Sequence, residues 1–207
     1  MEPVVHIVDD DSAVRRSLAM LLSSAGYQTE TYAAADALLA AATLPGGLAP
    51  GCIMLDVRMP GLDGISLIEV LPRHGVSLPV VIVTGHGDIP LAVRAMRAGA
   101  LDFVEKPYAE ERILGAVTLA LESARESDQQ RAQGAQAQAR VGVLSPRERE
   151  VLIALVAGKA NKIIGYELGI SPRTVEVHRA HLMEKLGVRS LPEAVRIGLA
   201  AGLAPGD

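Results

Sequence analysis

The apolar positions of this chain follow two rhythms. Unbroken apolar runs at Val4–Val8, Cys52–Leu55 and Pro79–Val83 have the length of strands buried on both faces of a parallel sheet. Thr29–Tyr32 and Asp102–Glu105 supply two weaker strand candidates. Between them lie segments of helical length: Ala13–Ser24, Ala35–Ala42, Gly64–Leu71, Ile89–Ala98 and Glu110–Glu126. Gly26, Gly51, Gly75 and Gly99 punctuate the joins. Five strand-then-helix units over residues 1–124 predict a doubly wound α/β sandwich with right-handed crossovers.

The pattern then changes. Residues 125–143 are rich in glutamine and alanine and show no apolar stripe, which predicts a linker. No proline interrupts Tyr108–Ser145, so part of that linker is expected to prolong the preceding helix. Residues 144–207 read as a small all-α domain of four short helices. Ser145, Pro146 and Glu148 form a capping box before the first helix, whose apolar residues Val151, Leu152, Leu155 and Val156 lead to Gly158. Asn161–Leu168 gives the second, Ser171-Pro172 caps a third running to Leu186, and Ser190 with Glu193 opens the fourth.

Composition narrows the class without naming it. At 49% hydrophobic and 21% charged residues the chain is an ordinary globular protein. Its apolar runs fall well short of the ~20 residues a membrane helix needs. No basic-then-apolar leader follows Met1, so the expectation is a cytoplasmic protein with no membrane contact. The single cysteine, Cys52, excludes an internal disulfide and a cysteine-built zinc site and is read as strand packing. The net charge of −4 is unevenly divided. Residues 1–124 hold 15 acidic and 8 basic side chains (−7), and residues 125–207 hold 9 and 12 (+3). An acidic first part and a mildly basic second part suggest separate tasks, the second on nucleic acid.

The chemistry gathers at the carboxyl ends of the predicted strands. The first ends in Asp9-Asp10, the third in Asp56, the fourth in Thr84 and the fifth in Lys106. In the flavodoxin-like order 2-1-3-4-5, strands one and three flank the switch point where ligands bind. Three carboxylates then converge there, with a hydroxyl and an ammonium opposite. Such a cluster repels itself unless a cation intervenes, and oxygen-only ligation suits Mg²⁺. Asp11 or Ser12 is read as the cap of the first helix.

Ile7-Val8-Asp9-Asp10, the Leu55–Gly64 string LDVRMPGLDG, Val83-Thr84-Gly85-His86-Gly87 and Phe103-Val104-Glu105-Lys106-Pro107 resemble the receiver domain of two-component response regulators. The resemblance implies that Asp56 accepts a phosphoryl group from a sensor histidine kinase. It also implies that Asp10, Asp56 and the backbone carbonyl of Arg58 ligate Mg²⁺, with Asp9 acting largely through water. Lys106 and Thr84 would each contact a phosphoryl oxygen. Phe103 stands at the aromatic switch position, and Arg58 and His86 at positions that tune hydrolysis. A carboxylate is a competent acceptor once a metal and a lysine neutralise the transferring group, so the physical account agrees.

Residues 144–203 resemble the LuxR-type helix-turn-helix domain, in LSPREREVL (144–152), NKIIGYELGIS (161–171) and PRTVEVHRAHLMEKLGVRS (172–190). The combination resembles the FixJ/NarL branch, and Thr84–Asp88 and SPRTVEVHRA look most like its FixJ subfamily. Helical geometry turns Val175, Leu182 and Leu186 inward and Arg173, Glu176, Val177, Ala180 and Glu184 outward. An outward valine suits a thymine methyl, and glutamate can accept from cytosine N4. The matching family positions place Glu176, Val177 and Ala180 against base edges. Lys162, Arg173, Thr174, Arg179 and Lys185 are candidates for phosphate contact, which positions without specifying. Gly165, where the family more often has alanine, is expected to cost about 1 kcal/mol of helix stability.

Together these features imply a transcription regulator, with activation the expected sign. Asp56 phosphorylation would control homodimerisation and binding to paired DNA half-sites, with RNA polymerase as a further partner. It is not expected to be an enzyme beyond assisting its own phosphorylation and dephosphorylation. An aspartyl-phosphate enzyme is the rival from another class, but it calls for a substrate cap where this chain has a helix-turn-helix. A receiver that has lost phosphorylation is a second rival, opposed by the complete set Asp9, Asp10, Asp56, Thr84 and Lys106.

Overall fold

The structure, a computed structural model, describes residues 2–85 and 89–203. These residues form two compact units, 1–127 and 128–207 as divided along the chain. No helix among the described residues is long and apolar enough to cross a membrane.

In the first unit, β1 (Val4–Val8), β2 (Gln28–Tyr32), β3 (Gly51–Leu55), β4 (Val80–Thr84) and β5 (Asp102–Glu105) make one parallel sheet. Its order is β2-β1-β3-β4-β5, as the pattern predicts. Every residue of β1, β3 and β4 is buried, which is why those strands read as continuous apolar runs. β2 lies at an edge and is largely exposed, so its signal is weak.

Alternate strand residues point to opposite faces. One face packs Val8, Ile53, Leu55 and Ile82 against α2 (Ala35–Ala42), α3 (Gly64–Val70) and α4 (Ile89–Ala98). The other packs Val5, Ile7, Cys52, Met54, Val81 and Val83 against α1 (Ser12–Ser24) and the start of α5 (Glu110–Gly142). Asp11 is the cap of α1, its side chain accepting from the N–H groups of Ala13 and Val14. His6 is fully buried in β1, its Nε2 2.9 Å from Ala49 O and its Nδ1 3.3 Å from the Tyr32 hydroxyl.

The second unit corrects the linker reading. α5 runs unbroken for 33 residues, through the whole glutamine-rich segment. Ala137 and Val141, one helical turn apart, are buried in the second unit's core with Leu144. That two-residue stripe is too short to show as periodicity in the sequence. α6 (Pro146–Val156), α7 (Asn161–Leu168), α8 (Pro172–Lys185) and α9 (Leu191–Ala200) complete the unit. Ser145 and Glu148 form the predicted capping box in full.

Candidate functional site

The four strand ends deliver their side chains to one place. The Asp56 N–H donates to Val8 O at 2.8 Å, tying the end of β3 to β1. The Gly64 N–H donates to Val57 O at 3.0 Å. A Cβ on Gly64 would sit 2.3 Å from the Asp56 carbonyl oxygen. Glycine is therefore required for α3 to start this close to the end of β3.

Asp9, buried at 4% exposure, accepts from the Asp11 N–H at 2.9 Å and from Lys106 Nζ at 2.6 Å. Lys106 Nζ lies 3.6 Å from Asp56 Oδ1, and the Arg58 N–H donates to Asp56 Oδ2 at 3.1 Å. The Lys106 N–H in turn donates to Thr84 O at 2.8 Å, and the Thr84 hydroxyl bonds the Asp56 carboxylate. Arg15, on α1, donates to the Asp9 carbonyl at 2.5 Å. A helical arginine six residues from a strand end has no diagnostic spacing, so this contact is not legible before the fold is known.

Electrostatics at Asp56 are opposed. Burial pushes its carboxyl above the usual range; Lys106 pulls it down, Asp9 pushes it up, and the Thr84 hydroxyl and Val57 N–H pull it down. The balance stays raised.

Asp9, Asp10 and Asp56 each bring one carboxylate oxygen within 4.8 Å of the others. Asp10 is exposed, and its side chain has no hydrogen bond or ion pair among the described residues. Three carboxylates against one ammonium leave negative charge uncompensated, and an all-oxygen donor set fits a hard divalent cation. Phe103 lies on β5 opposite Ile82, half-buried against the face that holds α3 and α4. His86 lies outside the described residues.

In the second unit α8 divides as its geometry predicts. Val175, Leu182 and Leu186 are buried; Arg173, Glu176, Val177, Ala180 and Glu184 are exposed. Lys162 is exposed on α7 and Thr174 shares a 2.8 Å hydrogen bond with the Ser171 hydroxyl at the start of α8. Arg179 is drawn aside, donating to Asn161 Oδ1 at 2.8 Å and so joining α8 to α7.

Lys185 departs from a free phosphate-contacting role. Its Nζ lies 2.8 Å from Glu148 Oε2, the carboxylate of the capping box, which is only 5% exposed. Burial pushes the Glu148 carboxyl up, but Lys185 and the Ser145 N–H and hydroxyl outweigh it and bring it down to about 2. Gly165 also departs from expectation. A Cβ there would meet Ile170 O at 2.7 Å, so glycine lets the turn into α8 close on α7.

Comparison with known proteins accounts for both units. Residues 5–118 match the response regulator receiver domain, and residues 142–197 match the bacterial regulatory proteins of the LuxR family. The transcriptional regulatory protein FixJ of Azorhizobium caulinodans is 49% identical over 203 residues, covering 98% of this chain and 95% of that protein. FixJ of Bradyrhizobium diazoefficiens is 46% identical over 199 residues, covering 96% of each. Among solved structures, the response regulator StyR superposes with a TM-score of 0.75 at 42% identity, over 95% of this chain and 98% of its own. Full-length FixJ from B. japonicum gives 0.59 at 44% identity, over 98% of both chains. The chain belongs to the two-component response regulators that join a receiver domain to a LuxR-type DNA-binding domain, and it is a transcription regulator of the FixJ kind.

Proposed function

We propose that Asp56 is the phosphoacceptor of this regulator and that its phosphorylation by a sensor histidine kinase controls dimerisation and DNA binding. The observation that carries this reading is the convergence of Asp9, Asp10, Asp56, Thr84 and Lys106 at the ends of four strands. Asp10, Asp56 and the Arg58 carbonyl hold Mg²⁺ in this reading, and Asp9 acts largely through water. The bound cation supplies charge neutralisation at the transferring oxygens. Lys106 contacts one phosphoryl oxygen and Thr84 another, drawing Phe103 inward, while Arg58 and His86 tune hydrolysis. Transfer to Asp56 needs positioning and charge neutralisation, and in dephosphorylation water bonds to phosphorus as the bond to Asp56 breaks, its proton leaving with the phosphate; the chain's chemistry is limited to these two steps.

The test is Mg²⁺-dependent labelling with acetyl phosphate, giving an acid-stable, base-labile product. Asp56→Asn should abolish it with the fold intact, since an amide cannot form an acyl phosphate. Wild-type labelling of a well-folded Asp56→Asn protein overturns the assignment.

A second copy of the chain is the proposed partner of α4. Ile89, Val93 and Met96 recur at helical spacing on it and are 81%, 45% and 48% exposed. Phosphorylation is expected to pair two receivers through α4, β5 and α5, matching paired DNA half-sites. A phosphorylated protein that light scattering shows to be strictly monomeric overturns this.

On DNA, Glu176, Val177 and Ala180 read base edges, and Lys162, Arg173, Thr174 and Arg179 contact phosphates. Activation through RNA polymerase, in the cytoplasm, completes the reading.

A further inference from the structure

β5 ends the sheet, with β4 on one side of it and no strand on the other. At Phe103 two side chains stand where a further strand would be. The Phe103 N–H donates to Asp102 Oδ1 at 2.7 Å, and the Phe103 carbonyl accepts from Arg112 Nη2 at 2.9 Å. Arg112 and Asp102 are joined in turn, Nη1 to Oδ2 at 2.7 Å and Nη2 to Oδ1 at 2.8 Å. Such two-pronged guanidinium–carboxylate pairs are stronger and more directional than single hydrogen bonds. Arg112 holds the Asp102 carboxyl below the usual carboxylate range, so the pair stays charged at neutral pH. Arg112 sits in the first turn of α5, and its neighbour Ile113 is fully buried in the core, which fixes where the guanidinium can reach. Phe103 lies opposite Ile82, two residues before Thr84, with its ring half-buried.

We propose that Arg112 is a positioning residue for Phe103, clamping its backbone so that the ring keeps its half-buried place until Asp56 is phosphorylated. The inference rests on the reading of Phe103 as the switch and adds the residue that sets its threshold. The rotamers open to a side chain depend on the φ and ψ of its own residue. Bonds to both the N–H and the carbonyl of Phe103 restrain those angles, and with the clamp closed the ring is half-buried. Inward movement of the ring that needs a different backbone must open the clamp, so the clamp biases the equilibrium between the two ring positions toward the half-buried one. Among the described residues the Arg112 guanidinium bonds only to Asp102 and Phe103, so the transfer of the phosphoryl group itself does not need it.

The chain has one phenylalanine, so para-fluorophenylalanine gives the full chain a single fluorine resonance, that of Phe103. Phosphorylation with acetyl phosphate and Mg²⁺, its extent read by mass, should displace that resonance in the wild type. In Arg112→Ala the resonance should already lie about a quarter or more of the way toward the phosphorylated position before any donor is added, while labelling proceeds at about the wild-type rate. Arg112→Lys keeps a donor for the Phe103 carbonyl and should recover part of the difference. A role in stability alone lowers the melting temperature and leaves the resonance in place. An unphosphorylated Arg112→Ala resonance at the wild-type position, or displaced away from the phosphorylated one, therefore overturns the clamp. Loss of labelling in Arg112→Ala also overturns it, because the residue then belongs to the transfer step. If the wild-type resonance stays still in fully labelled protein, the switch reading of Phe103 fails and the positioning role fails with it.

Discussion

Glu148 shows how one carboxylate can tie two helices together. Its pKa of about 2 is below the ordinary value, so the stability it contributes is complete above pH ~4.5 and is lost as pH falls toward 2. Lys185 is 43% exposed, which limits that contribution to the order of 2 kcal/mol. Melts of the second unit between pH 5 and 2 should show the loss, and Lys185→Met should flatten it. An unchanged profile in Lys185→Met would refute the pairing. Gly165→Ala is expected to destabilise by about 1–3 kcal/mol, because the new methyl meets backbone 2.7 Å away. Helix propensity alone predicts the opposite sign, so thermal melts separate the two accounts. Residues at strand ends were legible in the sequence, since a parallel sheet gathers those ends whatever the loops do. Lys185 and Glu148 were not, because a pair 37 positions apart depends on how two helices pack.

Helices and strands were legible to the extent that they are buried on a fixed period. β1, β3 and β4 stood out for that reason, and α6 because its capping box is a local signal. The C-terminal part of α5 was hidden, since only Ala137 and Val141 of its last turns enter the core. The correction has a measurable consequence. A fragment of residues 128–207 should melt on the order of 10 °C above one of residues 144–207, which lacks both buried side chains. Coincident melts would mean that this stretch of α5 adds nothing to the unit.

For the whole molecule, the division of charge bears on control. The receiver region carries −7 and the reader region +3, and we propose on that ground alone that the receiver masks the reader before phosphorylation, in a contact that salt would weaken. On that account the fragment 128–207, which keeps its own core, binds the target site better than the unphosphorylated full chain. Weaker binding by the fragment assigns control to receiver dimerisation alone. Base preference and general affinity should also separate. Val177→Ala should relax selectivity at one position, and Arg173→Ala should weaken all sequences alike while lowering the salt slope by about 1. A uniform loss for Val177→Ala contradicts that division. Cys52 makes such rearrangements unusually easy to follow. It is the chain's single cysteine, fully buried in β3, and burial pushes its thiol up to about 12. A maleimide or spin-label reagent at neutral pH will pass it by. Any cysteine introduced on the surface, one per unit, then becomes the sole point of attachment in that unit, and distances between the two labels can be measured in the otherwise native protein.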